Sequence, residues 1–150
     1  MHHTLNCLLP KEIRVVNIFF GEFQPIKKEY HYFVDTREIQ SPFDRFHVWH
    51  YPYPLNKELM LKKALTLIGE KDFAPFQNSG RFHSTTLRNL ETISITGDEL
   101  YHFTLIGNSF LYKMVRNIVG ALVYEGQGKL NHGRYTAPAH GLTLKRVYLE

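Results

Sequence analysis

One segment, SFLYKMVRNIVGALVYEG at residues 109–126, constrains the fold of this chain more than any other. Its apolar residues recur at a spacing close to the helical period, and they are Phe110, Leu111, Met114, Val115, Ile118, Val119, Leu122 and Val123. Lys113, Arg116 and Asn117 stand between them. The pattern predicts a helix that buries much of its surface, and it raises the question of what the Arg116 guanidinium contacts.

Two interpretations of Arg116 are open from the pattern. On a helical wheel it shares a stripe with Lys113 and Asn117, which is typical of the solvated face of an amphipathic helix. Alternatively, Arg116 is a buried partner for a carboxylate or a phosphate, the groups that its planar fork suits. The small residues Gly120 and Ala121 would permit close approach by another backbone, which favours a packed environment for this helix.

From Glu29 onward the chain predicts the order strand, helix, strand, strand, helix, strand, at residues 29–35, 55–69, 90–96, 100–106, 109–126 and 142–147. That order is the ferredoxin-like split βαβ (βαββαβ) unit, an α+β fold with two helices on one face of an antiparallel sheet. We expect Asn108 or Ser109 to cap the second helix. A further β-rich run at residues 13–20 has no place in the unit.

Length, charge and cysteine content limit the possible classes of protein. The 150 residues fit one compact domain or part of a larger one, and we expect residues 1–27 to be a remnant of a first half with a connector and residues 28–150 to form the α/β domain. No apolar run reaches the roughly 20 residues of a membrane span, and no secretory signal is evident. The single cysteine, Cys7, favours a reducing cytoplasm, and the net charge of +4 favours an anionic partner such as nucleic acid.

Aromatic residues recur with a period of two on two predicted strands. Tyr30 and Tyr32 share one face, as do Tyr101 and Phe103. Such rings can stack on unpaired bases when the face is open, or pack beneath a neighbouring structure when it is covered. The pattern leaves both alternatives open.

Local motifs do not establish catalysis. The sequence has no HExxH, GxSxG, Walker or GxGxxG motif. His47 and His50 are closely spaced but have no cysteine pair beside them, so a metal site is not expected. The aspartates are scattered without a shared signature.

Five segments together, LNCLLPKEIRV, KEYHY, GEKDFAPF, NSFLYKMVRNIVGALVYEGQGK and TAPAHGLTLKRVYLE, resemble in the correct order the bacterial tRNA pseudouridine synthase A family. The resemblance spans nearly the whole chain, and FLYKMVRNIVG followed by APAHGLTL is its most specific part. It implies a fold of two related α/β halves around a central sheet. The early run at residues 13–20 would then belong with the first half.

The resemblance also implies an activity and a set of site residues. Family members isomerise uridine to pseudouridine in the tRNA anticodon stem-loop, at about positions 38–40, without cofactor or metal, as cytoplasmic homodimers. An aspartate begins the reaction as nucleophile or base. Tyr30 matches a tyrosine that stacks on the target base and is a candidate for proton removal from C5, Arg116 matches the arginine that pairs with that aspartate, and Leu142 matches a leucine that lines the pocket.

The departures from the family pattern concern the aspartate. In the family it lies in a GRTDAGVH-like motif, whereas GRFH at residues 80–83 contains no aspartate and falls elsewhere. Between GQGKL and TAPAH only NHGRY intervenes, where the family carries a helical stretch. We therefore expect the chain to be the C-terminal portion of such an enzyme and to be inactive alone.

Basic and polar side chains are the expected tRNA contacts, and they are Lys113, Asn117, Arg81 and Arg88; each could equally be an ordinary solvated group. The alternative function is a non-catalytic RNA-binding module with the topology of the RNA recognition motif, although LYHFTLIG lacks the glycine–aromatic pattern of that module. A degenerate remnant without function is a third, weaker alternative.

Overall fold

A computed structural model describes residues 2–80, 84–129 and 135–150. Within these ranges it contains three helices, His2–Leu8 (α1), Lys57–Leu65 (α2) and Met114–Gly126 (α3). It also contains six strands, Pro25–Asp35 (β1), Trp49–His50 (β2), Gly69–Asp72 (β3), Leu87–Thr96 (β4), Leu100–Gly107 (β5) and Leu142–Leu149 (β6). The predicted α+β class is confirmed.

The six strands form one mixed sheet with the order β2-β1-β5-β4-β3, and β6 also pairs with β1. The β1–β2 pair is parallel and the other pairs are antiparallel. The two-residue strand β2 lies in a proline-bounded loop without periodicity, so the sequence pattern did not reveal it. The long strands and α2 and α3 follow the predicted order along the chain.

The core lies between the sheet and the helices α2 and α3. Tyr32, Phe103 and Tyr101 all belong to the buried cluster that α3 covers. Period two on β1 and β5 therefore predicted their shared face correctly, but the face is covered rather than open. The amide of Asn56 caps α2 by accepting hydrogen bonds from the backbone N–H groups of Glu58 and Leu59, at 3.0 and 3.2 Å.

The predicted strand at residues 13–20 is wrong, because these residues have no regular secondary structure. A run of residues with strand-forming side chains becomes a strand only where a neighbouring strand pairs with its backbone N–H and C=O groups. None of the described strands pairs with this run. Val16 is 88% exposed and Phe20 is 83% exposed. The Asn6 side chain holds the start of the run through the backbone N–H and C=O groups of Val15.

The helix expected from residue 109 begins five residues later, at Met114. Asn108 does not cap it: its side-chain oxygen accepts hydrogen bonds from the backbone N–H groups of Asn89 on β4 and of Ser109. This attachment holds residues 108–113 as a loop beside the sheet. Lys113, the residue before the helix, has a left-handed backbone with φ of 59°.

Candidate active site

A pocket of about 270 Å³ lies where β1 and β6 meet the loop before α3 and the first turn of that helix. It is lined by Lys28, Tyr30, Phe110, Leu111, Tyr112, Lys113, Met114, Val115, Arg116 and Leu142. Four of the predicted site residues, Tyr30, Arg116, Leu142 and Lys113, are therefore brought together. This volume holds several water molecules and gives room for a small planar ring.

Tyr30 forms the aromatic wall of the pocket together with Phe110. The two rings meet edge to face, with centroids 5.0 Å apart and an interplanar angle of 80°. Burial raises the pKa of the Tyr30 hydroxyl above its ordinary value, so the phenol keeps its proton at neutral pH. The ring is half-buried and presents an apolar surface with a neutral hydroxyl group.

Arg116 is half-buried and is fixed by a backbone carbonyl. Its Nε donates a 2.6 Å hydrogen bond to the carbonyl oxygen of Ala137, and the Ala137 N–H donates to the Arg116 carbonyl oxygen at 3.1 Å. No carboxylate of the described residues lies within salt-bridge distance of Arg116. The guanidinium thus lies beside the pocket without an acidic partner from this part of the chain.

Two glycines allow the segment after residue 135 to pack tightly against the site. A Cβ added at Gly120 of α3 would come within 2.2 Å of the Tyr135 carbonyl oxygen, and one added at Gly141 would come within 2.6 Å of the Tyr32 ring. The predicted close approach of another backbone at Gly120 is confirmed. Only glycine fits these two positions. The close packing that they allow brings Ala137 into contact with Arg116 and places Leu142 at the pocket.

Asn117 is 4% exposed and does not line the pocket. Its Nδ2 donates hydrogen bonds to the Phe76 carbonyl oxygen at 2.7 Å and to Asn78 Oδ1 at 2.6 Å. Its Oδ1 accepts from Thr136 Oγ1 at 2.7 Å. Asn117 thereby joins two segments to α3, the one that contains Phe76 and Asn78 and the one that contains Thr136.

Among the described residues, Lys113 is the only non-glycine residue with a positive φ. A left-handed backbone costs a residue with a Cβ about 1–2 kcal/mol. The strain is tolerated where the loop from β5 turns into α3, directly at the pocket. The Lys113 ammonium lies 5.2 Å from the centroid of the Tyr112 ring.

The two remaining predicted contacts are not part of the pocket. Arg88 lies on β4, where its guanidinium donates to the Thr85 carbonyl oxygen at 3.0 Å. Arg81 lies outside the described residues. Lys28 and Phe110 line the pocket although they were not predicted as site residues, and for Lys28 a signal was present, because it stands two residues before Tyr30 on the same strand.

The opposite face of β1 carries a separate polar and aromatic network. Glu29 contacts His31 Nε2 at 2.8 Å and accepts a hydrogen bond from the Tyr148 hydroxyl at 2.8 Å. Lys27 forms a salt bridge with Glu91 at 3.1 Å. On the same face Phe33 and His102 stack with centroids 4.6 Å apart and an interplanar angle of 9°.

The sheet, its packed helices and the pocket define an α+β protein whose candidate site is lined by aromatic side chains and three cations. The family model described as tRNA pseudouridine synthase matches residues 64–137. The chain is 35% identical to the tRNA pseudouridine synthase A of Thermoanaerobacter sp. (strain X514), over 97% of this chain and 68% of that protein.

Two chlamydial proteins of the same name are also similar. The identity is 36% with the protein of Chlamydia pneumoniae and 38% with that of Chlamydia trachomatis serovar A, over 96% and 95% of this chain and 62% and 61% of theirs. The chain belongs to the tRNA pseudouridine synthase A family. It spans 61–68% of the length of these relatives. No helix within the described ranges is long and apolar enough to cross a membrane.

Proposed function

We propose that this chain is the C-terminal part of a tRNA pseudouridine synthase that isomerises uridine in the anticodon stem-loop, at about positions 38–40. In this proposal the full-length enzyme is a cytoplasmic homodimer and the sheet is the ferredoxin-like split βαβ unit, with β2 and β3 as additions and residues 1–27 as the connector from a first half. One observation carries it: Tyr30, Arg116 and Leu142, from β1, α3 and β6, line a single pocket.

The reaction is an isomerisation that requires no oxidant or reductant. The C1′–N1 bond breaks, the uracil turns, a C1′–C5 bond forms, the proton of C5 leaves and N1 gains a proton. Tyr30 provides the surface on which the uracil stacks, and its neutral hydroxyl can exchange a hydrogen bond with the turning base. Leu142 closes the apolar side of the pocket.

Arg116 orients and holds ionised the aspartate that begins the reaction, because a nearby positive charge favours the charged form of a carboxylate. The Ala137 carbonyl fixes the guanidinium through Nε, so its remaining N–H groups are left to bind the two carboxylate oxygens. The aspartate comes from outside these 150 residues. The isolated chain is accordingly inactive.

Lys113, Arg81 and Arg88 contact tRNA phosphates, Lys113 at the pocket. Asn117 acts on substrate binding through the segments that it joins, which makes it a positioning residue. Binding of this kind weakens as the salt concentration rises, since each phosphate contact releases counterions.

A chimera tests the catalytic proposal. The matched part of the Thermoanaerobacter relative is replaced by this chain, and pseudouridine is measured in unmodified tRNA by mass spectrometry. We expect the chimera to form pseudouridine, its Arg116→Ala and Tyr30→Ala variants to lose at least a hundredfold in rate, and the isolated chain to form none. Pseudouridine from the isolated chain, or full activity of the Arg116→Ala chimera, would contradict the proposal.

The alternative is a non-catalytic RNA-binding module, and one observation favours it. The stacked Phe33 and His102 lie on neighbouring strands β1 and β5, on the face opposite to the pocket. Rings so placed can stack on single-stranded bases. The two functions are separated by affinity for a folded anticodon stem-loop compared with a short single strand. Tighter binding of the single strand, lost in Phe33→Ala and kept in Tyr30→Ala, would favour the module.

A further inference from the structure

Lys28 is a pocket residue to which no role has been assigned. It stands two positions before Tyr30 on β1, so both side chains lie on the same face of the strand. Both line the 270 Å³ pocket, together with Lys113 and Arg116 from the start of α3. Lys28 thus approaches the site from the sheet, while the other two cations approach from the helix.

The charges around the pocket do not balance. Its lining includes three cations, Lys28, Lys113 and Arg116, and no aspartate or glutamate. Within the described ranges, none of the three takes part in a salt bridge. Lys27, the neighbour of Lys28, differs: it pairs with Glu91 at 3.1 Å on the other face of the sheet. Neighbouring cations repel one another when no anion lies between them, so the site favours an anionic ligand.

We propose that Lys28 binds the phosphate of the nucleotide whose base enters the pocket, with Lys113 on the opposite wall. This inference rests on the proposed function and adds a substrate contact to it. Uracil and ribose are both uncharged, so the phosphate is the one anionic group that the nucleotide brings. Arg116 is fixed by Ala137 and is oriented toward a carboxylate in the proposed reaction, whereas the Lys28 ammonium is a mobile point charge that suits a phosphate.

A matched pair of variants, Lys28→Gln and Lys27→Gln, tests the assignment. Both remove one positive charge from adjacent residues of β1, so they alter the net charge equally. The measurement is the affinity for the folded anticodon stem-loop over a range of salt concentrations. We expect Lys28→Gln to weaken binding at least fivefold and to reduce the salt slope by about one, while Lys27→Gln leaves the slope unchanged.

Combining the Lys28→Gln variant with a modified RNA phosphate shows which phosphate of the target nucleotide Lys28 contacts. A stem-loop with one neutral methylphosphonate on the 5′ side of the target uridine, or on its 3′ side, replaces the ordinary RNA. We expect one of these two substitutions to weaken binding by the wild-type chain as much as Lys28→Gln does, and to cause no further loss in Lys28→Gln. Additive losses at both positions would overturn the assignment.

The remaining outcomes separate this inference from the proposed function. If the wild-type chain binds the stem-loop while Lys28→Gln and Lys27→Gln weaken it equally, the Lys28 contact is wrong and the proposed function stands. If the wild-type chain shows no salt-dependent binding, both are wrong. If Lys28→Gln lowers the urea midpoint of unfolding and leaves RNA affinity unchanged, Lys28 pairs with a carboxylate of the protein and the inference is overturned.

Discussion

The two faces of β1 differ in how their charges are satisfied. On one face Lys27 pairs with Glu91, and Glu29 is held by His31 and Tyr148. On the other face Lys28 and the two cations from the start of α3 surround a pocket that contains no acidic side chain. Adjacent residues of one strand therefore differ: Lys27 has a carboxylate partner, whereas Lys28 lies among cations without one.

This difference indicates where a ligand belongs. Paired surface charges contribute little energy and mainly fix local geometry. Cations that converge without a partner repel one another, and a protein retains such an arrangement where a ligand supplies the missing negative charge. The strained backbone of Lys113 lies on the uncompensated side as well.

The largest change in the free energy of unfolding is expected at Gly120, where α3 packs against the segment that carries Ala137. Gly120→Ala should lower the free energy of unfolding by about 3 kcal/mol, because the new Cβ meets the Tyr135 carbonyl oxygen at 2.2 Å and must displace it. Urea unfolding followed by circular dichroism measures the change. Ala121→Gly is the control and should cost only about 1 kcal/mol through helix propensity. A Gly120→Ala variant that is more stable than the wild type would show that the Tyr135 backbone does not pack against α3 at Gly120.

Asn117→Ala should destabilise the protein by about 2 kcal/mol, since it leaves the Phe76 carbonyl oxygen and the Asn78 side-chain oxygen, both partly buried, without this donor. On the paired face, Thr104→Ala removes only a 3.4 Å contact with His102 and should cost less than about 0.5 kcal/mol. Both values come from urea unfolding at pH 7. Equal losses on the two faces would contradict the assignment of Asn117 as the residue that joins the segments around α3.

The two faces should lose stability at opposite ends of the pH scale. The hydrogen bonds from His31 and Tyr148 lower the pKa of Glu29 below its ordinary value of 4.5. Its contribution is present above that value and is lost as the pH falls through the lower folded pKa. Burial raises the pKa of Tyr30 and Tyr32 above 10, so their contribution is present below pH 10 and is lost as the pH rises further.

Urea unfolding between pH 3 and pH 11 measures both losses. Glu29→Gln should flatten the acid side of the profile and leave the alkaline side unchanged, whereas Tyr32→Phe should flatten the alkaline side only. An acid profile that is identical in Glu29→Gln and in the wild type would show that the network around Glu29 does not form.

The smallest effect is expected at Lys113. Lys113→Gly should raise the free energy of unfolding by about 0.5 kcal/mol, because glycine adopts the left-handed backbone without strain. The same variant should weaken stem-loop binding several-fold, since it removes a cation from the pocket. Lys62→Gly in the last turn of α2 is the control and should destabilise by about 1 kcal/mol without affecting RNA affinity. Destabilisation by Lys113→Gly would contradict the strained backbone.

Periodicity predicted the elements that pack through regular faces. The apolar spacing of residues 109–126 predicted the helix that is observed at Met114–Gly126, and period two placed Tyr30 and Tyr32 on one face of β1. The lack of a side chain at Gly120 correctly indicated close approach by another backbone. The pattern singled out Arg116 and Tyr30, but Leu142 and the roles of all three were identified through the family resemblance, because no spacing in the sequence brings three distant segments to one pocket.

Features that depend on tertiary contacts could not be predicted in this way. Asn108 has the chemistry of a helix cap, but its side chain binds β4 instead, so α3 starts later than expected. The run at residues 13–20 has the composition of a strand and lacks a partner among the described strands. The aromatic residues of β5 face the core and not solvent because α3 packs over them. The alternation within a strand does not show which element covers its face.

Photo-crosslinking tests most directly whether the pocket face binds the target base. An anticodon stem-loop with 5-bromouracil at the target position is irradiated with the protein, and the attached residue is identified by mass spectrometry. We expect attachment at Tyr30 or Phe110, and its loss when an excess of unmodified stem-loop is added. Attachment confined to Phe33, His102 or Tyr148 would place the base on the paired face and contradict the account.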